Sequence, residues 1–294
     1  MIRKLACWVI FSISVGCGGV GDEPAKAVAA DDRAQCGDPE DTEVLVITSL
    51  AFTREIAEGV IEGFDIDGLD SAEGDPAGCG HRDYASPDGT TGIDNAFAAL
   101  VPVLESIGAA AVEGLITDAI NSGELLILAE IQRVDDVEND SCVDLELHRG
   151  EGLPLMGTDG NIQMDQTFLV DPSRPSTFAE GGQIAHRTFE IQDITISLPV
   201  QILDEFIELD LEGASLQLRW LDNGEAVGRL AGGVSVSSLA GQIGAISDIG
   251  SLQDAVPALL EGAADLWPDE NGSCTHLSVG MDVTARPAFL LYPE

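Results

Sequence analysis

Lysine is almost missing from this chain. Lys4 and Lys26 are its two lysines, and the other eleven basic residues are arginines, set against 52 Asp and Glu for a net charge of −39. Nucleic-acid binding rests on basic neutralisation of phosphate, so this balance excludes it as a partner class. It equally excludes direct electrostatic adsorption to anionic lipid. Aromatic residues make up 5%, so the core must be built from Leu, Ile, Val and Ala. Four histidines, His81, His148, His186 and His276, fall in no H-E-x-x-H or related metal motif. The stretch Gly233-Val234-Ser235-Val236-Ser237 lacks the closing glycine of a G-x-S-x-G elbow. A Walker loop is missing too. What remains for a catalyst is a carboxylate pair, a design recognised by separation in space rather than by spacing along the chain.

What is present concentrates between Glu62 and Asn95. Nine carboxylates fall in these thirty-four residues, with Arg82 the single arginine among them. Calcium takes six to eight oxygens, often from aspartates at alternate positions of a turning loop. Asp65, Asp67 and Asp70 surround Gly68, and Glu73, Asp75 and Asp88 follow. These six are the candidate calcium ligands. The spacing is not that of an EF-hand: counted from Asp65, the fifth, sixth and twelfth positions are Leu69, Asp70 and Pro76, where an acid, a glycine and a glutamate belong. The alternative is a solvated turn, since Asp, Gly, Pro and Ser are what turns use. Asp94 precedes an apolar helical pattern and reads as its N-cap. His81 and Asp83 read as turn residues, and His148 as a surface residue.

The runs GFDIDGLDS, CGHRDYASPDG and GIDN over residues 63–95 resemble a segment of an uncharacterised family of secreted and lipid-anchored envelope proteins of Gram-negative bacteria, with fainter echoes over residues 121–152. The resemblance implies an envelope location and no particular chemistry.

The first residues read as an export signal. Arg3 and Lys4 precede an apolar run of eleven residues from Leu5 to Val15, too short to span a bilayer. Ser14-Val15-Gly16-Cys17 resembles a lipobox, with serine where leucine is usual, and makes Cys17 the lipidated residue. Ordinary cleavage after Ala27-Val28-Ala29 is the alternative. Gly18 follows in place of an inner-membrane retention aspartate, which implies outer-membrane anchoring on the periplasmic or cell-surface face. The membrane is therefore expected as a partner through lipid alone. Cys36, Cys79, Cys142 and Cys274 then remain, widely spaced and without C-x-x-C, which in an exported chain reads as two disulfides. Three connectivities are open, and proximity along the chain favours Cys36–Cys79 and Cys142–Cys274.

Further along, the apolar run from Val44 to Phe52 reads as a strand. Phe97, Leu100, Val101 and Leu104, then Val112, Leu115, Ile116 and Ile120, recur at helical spacing with a hinge at Gly108. From Leu125 the period becomes two: Val143, Leu145 and Leu147; Ile194 to Val200; Ile207 to Leu211; Leu216 to Trp220; Leu277 to Val283. Asn223-Gly224 supplies a hairpin turn. Two more helices interrupt, around Leu239–Ile246 and Val256–Ala263, the latter opened by a Ser251/Asp254 capping box. The expected organisation is a signal peptide over 1–16, a lipid anchor and flexible tether over 17–42, and one α+β domain over 43–294, with a split near 150–180 as the alternative. The domain is an antiparallel β-sandwich or open barrel with two helical pairs packed against it. The expected function is a non-enzymatic outer-membrane lipoprotein with a structural or binding role and calcium as its one cofactor. Its alternatives are a carrier of an apolar ligand and a carboxylate-dependent hydrolase.

Overall fold

A computed structural model describes residues 36–38, 41–104, 111–202, 205–245 and 252–293. The signal peptide, Cys17, most of the tether, Gly108 and Ser251 lie outside these residues. Strands β1 (Thr42–Phe52), β4 (Ile127–Gln132), β5 (Asn139–Glu151), β7 (Thr177–Ala185), β8 (Thr188–Ile202), β9 (Glu205–Trp220), β10 (Ala226–Ser235) and β12 (Cys274–Leu291) pair in that order, each antiparallel to the next. β12 pairs back onto β1, from Leu45↔Pro287 to Phe52↔Met281, and closes the ring. The expected open barrel or sandwich is thus a closed eight-stranded barrel. Residues 150–180 contribute β6 (Gln166–Val170) and the start of β7 to the same sheet.

Alternation explains the wall. Leu145 and Leu147 stand opposite Ile131 and Ala129, and these inward residues join Phe189, Leu211, Leu218, Leu277 and Val279 in one buried cluster. Eight strands leave an interior just wide enough for such side chains to fill. The two runs Ile207–Leu211 and Leu216–Trp220 are one strand, β9, whose register with β10 shifts between Ala231 and Gly233. The hairpin after it is tight: Gly224 N–H donates to the Leu221 carbonyl and Gly224 takes positive φ, a type I turn closed by a left-handed glycine.

One end of the barrel collects the connections. There β1 runs into the acidic loop, which contains β2 (Tyr84–Ala85) and β3 (Thr91–Ile93); α1 (Phe97–Leu104) and α2 (Ala111–Ser122) lead into β4; and α3 (Val236–Ala245) and α4 (Leu252–Ala263) join β10 to β11 (Leu266–Pro268) and β12. α2 packs on both β1 and β8, strands on opposite sides of the ring, so it spans the mouth and buries Ile116 and Ile120. The opposite end has the β4–β5, β7–β8 and β9–β10 connections. His186 and Arg187 both take positive φ between β7 and β8, the two-residue turn whose twist suits paired strands.

Two disulfides form, Cys36–Cys142 and Cys79–Cys274, with Cα atoms 5.5 and 5.8 Å apart. This corrects the pairing expected from proximity. Between Cys36 and Cys79 the chain runs the length of β1, about 3.3 Å per residue, from one end of the barrel to the other. Cys36 is left beside the start of β5, and Cys79 beside the start of β12. The last turn of β12 leaves the wall: Ala288–Leu291 pair in parallel with β6, β6 pairs with the end of β5, and Tyr292 reaches the outer face of β4 and β5. This flap buries Leu128, Glu130 and His148 on an outward face.

Candidate functional site

The acidic loop is held by its own carboxylates. Gly68 N–H donates to Asp65 Oδ1 at 2.7 Å and Leu69 N–H to Asp67 Oδ1 at 2.9 Å, which turns the chain around Gly68. The turn is pinned from beneath. Ile66 N–H donates to Asp94 Oδ2 at 2.6 Å, with Asp67 N–H more distant at 3.4 Å. Thr91 Oγ1 donates to Asp70 Oδ2 at 2.8 Å, and Ser71 N–H to Asp83. Gly92 makes the approach possible. At φ +78° it passes so near the turn that a Cβ there would lie 2.5 Å from the Leu69 carbonyl oxygen.

Asp94 is not the N-cap of α1. Its carboxylate points back to the loop, and Ala96 at the helix start donates its N–H instead to Ser278 Oγ at 2.6 Å. Ser278 in turn gives its N–H and hydroxyl to Asp265. One ligand oxygen from each of Asp65, Asp67 and Asp94 falls within 4.8 Å of the others, close to the span across a calcium ion with bonds of about 2.3–2.6 Å.

Burial and mutual repulsion raise the carboxyls gathered here. Burial is the first cause pushing Asp94 up to about 8, with Asp67, Asp265 and Asp83 adding repulsion. Burial likewise raises Asp265 to about 6, and Asp83 adds to it. Asp65, Asp67 and Asp83 are raised as well, burial first. An oxygen-only donor set of this kind suits a hard cation.

Of the six ligands expected from sequence, the structure brings Asp65 and Asp67 together and leaves Asp70 at the edge of the group, near enough to repel Asp65. Asp75 and Asp88 close their own turns through Ala77 N–H and Thr90 N–H, and Glu73 is exposed. Asp94 joins in their place.

Two clefts flank the group. One of about 590 Å³ is lined by Asp65, Ile66, Asp193, Glu212, Ser215 and Trp267. Asp193 enters it from a register shift in β8, at φ 56°, and the Trp267 indole lies over Gly213 and Gly233 in space a Cβ would take. The other, of about 270 Å³, lies between the acidic loop and the ends of α1 and α4; Asp83, Tyr84, Asn95 and Asp265 line it, and His81 stands at it too. His276 stacks edge-on to Trp267, centroids 4.6 Å apart.

A second polar group lies on the outer wall. Glu130 and Glu146 face each other directly across β4 and β5. His148 Nε2 is 2.9 Å from Glu130 Oε2, and Tyr292 donates its hydroxyl to the same oxygen at 2.7 Å. His148 is therefore buried rather than at the surface, because the flap covers a face that alternation alone assigns to water. Burial pushes Glu130 up, but the His148, Tyr292 and Gln132 hydrogen bonds more than offset it and hold the carboxyl below its ordinary range.

No family model, curated protein or solved structure matches this chain.

Proposed function

We propose that this is an exported, lipid-anchored envelope protein whose barrel presents a calcium-ordered binding surface at its capped end. The convergence of Asp65, Asp67 and the buried Asp94 carries the proposal. Three carboxylates without a counter-ion repel one another; a divalent ion takes their oxygens and fixes the turn that forms the rim of the larger cleft. The role is binding or structural. Two disulfides fit an oxidising, exported setting. The start of β1 at Thr42, where the expected tether ends, lies at the end of the barrel opposite the acidic loop.

A calcium titration by calorimetry tests the site. One equivalent should bind, and Asp65→Asn with Asp67→Asn should weaken it at least tenfold; absence of saturable binding in the native chain sinks the proposal.

One observation favours a carboxylate-dependent hydrolase as the second reading: Asp83 and Asp265 line the same cleft. Against it, Ser278 holds both oxygens of Asp265. The carrier reading draws no support from an interior packed with aliphatic side chains.

A further inference from the structure

We propose that Glu130, Glu146 and His148 form a second metal site, of a class different from the acidic loop: a mixed imidazole and carboxylate site for a zinc-like transition metal, closed by Tyr292.

Three observations carry it. First, the charges do not balance. The β4–β5 register sets two glutamates directly opposite, an arrangement that destabilises a sheet. Among the described residues their partners are His148, Gln132, Ser176 and Tyr292, with no lysine or arginine hydrogen-bonded or ion-paired to either. Glu130 is 8% exposed, so its charge rests on these neutral hydrogen-bond donors and His148 rather than on solvent.

Second, the spacing suits a metal. Four ligands about 2.0–2.1 Å from zinc stand roughly 3.3 Å apart at tetrahedral corners. His148 Nε2, Glu130 Oε2 and Tyr292 Oη stand 2.9, 2.7 and 3.3 Å from one another, and one oxygen of Glu146 completes a set with Glu130 and His148 inside 4.8 Å. Opening the triangle by a few tenths of an ångström admits the ion.

Third, the surroundings are those of a built site. His148 is 3% exposed, and its ring is held by the 2.9 Å contact of Nε2 with Glu130. Gln132 and Ser176 hold the two oxygens of Glu146 at 3.2 and 2.6 Å, and Leu128 beside them on the outer face is fully buried. Nitrogen with oxygen selects zinc and its neighbours over calcium, so the two sites separate by metal. Tyr292 directly follows the strand that forms the flap, so metal here clasps the flap to the wall.

The test uses tag-free full-length protein stripped with chelator, titrated with zinc by calorimetry and with cobalt(II) by visible absorption. One equivalent of zinc should bind in the presence of excess calcium, cobalt should give the bands of a four-coordinate site, and His148→Gln or Glu130→Gln should weaken zinc at least tenfold. Asp65→Asn with Asp67→Asn should leave zinc binding unchanged. Because a buried substitution can unfold the wall, X-ray absorption at the zinc edge of the native protein gives an independent reading: one imidazole with oxygen neighbours is expected. No saturable zinc binding by the native chain, binding indifferent to both His148→Gln and Glu130→Gln, or an edge spectrum with no imidazole or several, overturns the proposal.

Discussion

At the residue scale, Asp94 shows where sequence reasoning stops. An aspartate just ahead of an apolar helical period has the signature of an N-cap, and nothing in that period tells whether its carboxylate turns forward to the helix or back to a loop twenty-eight residues earlier. The structure turns it back and buries it, and the consequence is measurable. Folded Asp94 holds its proton to about pH 8, against about 3.9 when unfolded. Between those values the folded state binds more protons, so in calcium-free buffer this stabilisation is complete below about pH 4 and is lost as pH rises through 8. Asp94→Asn should flatten the fall between pH 5 and 8 by on the order of 2–5 kcal/mol at about 1.4 kcal/mol per unit, as read by denaturant unfolding. An unaltered slope in the variant would assign the dependence to the neighbouring carboxylates. His148 is the companion case. Its alternation with Asp144 and Glu146 correctly gives the outward face, but period two says nothing of the flap that covers it.

At the scale of elements, strands were legible wherever one face met the core. Val143, Leu145 and Leu147 announce β5 because their neighbours are polar. Closure was not legible, since alternation names a face and not a partner; the β1–β12 pairing joins residues more than two hundred apart. The cysteines failed for the same reason, because distance along the chain ignores the strand that carries it across the barrel. A peptide map of unreduced protein should show Cys36 linked to Cys142 and Cys79 to Cys274, and any other linkage contradicts the topology. Cys79→Ser with Cys274→Ser should cost about 2–5 kcal/mol and loosen the acidic loop first, seen as faster amide exchange over residues 65–94 than over the wall. Ile120→Ala, which empties the helix plugging the mouth, should cost about 2–5 kcal/mol in equilibrium unfolding, whereas an effect near zero would mean that α2 is not part of the barrel core.

At the scale of the whole molecule, a charge of −39 strains any compact state through self-repulsion, and the fold answers by clamping each end with a disulfide and gathering its densest acids at the end remote from the tether. With Cys17→Ser, the protein should leave the outer-membrane fraction; persistence there would remove the lipid anchor from the account. Ordering of the capped end by a specific divalent ion is separated from general screening by thermal unfolding at fixed ionic strength. Calcium, EDTA, and sodium chloride matched in ionic strength should be compared for the native chain and for Asp65→Asn with Asp67→Asn. With calcium at a hundred times its dissociation constant, the native chain should gain about 2.7 kcal/mol, sodium should not reproduce the gain, and the double variant should lack it. Equal shifts in both salts would contradict specific ordering and leave the loop an acidic surface turn.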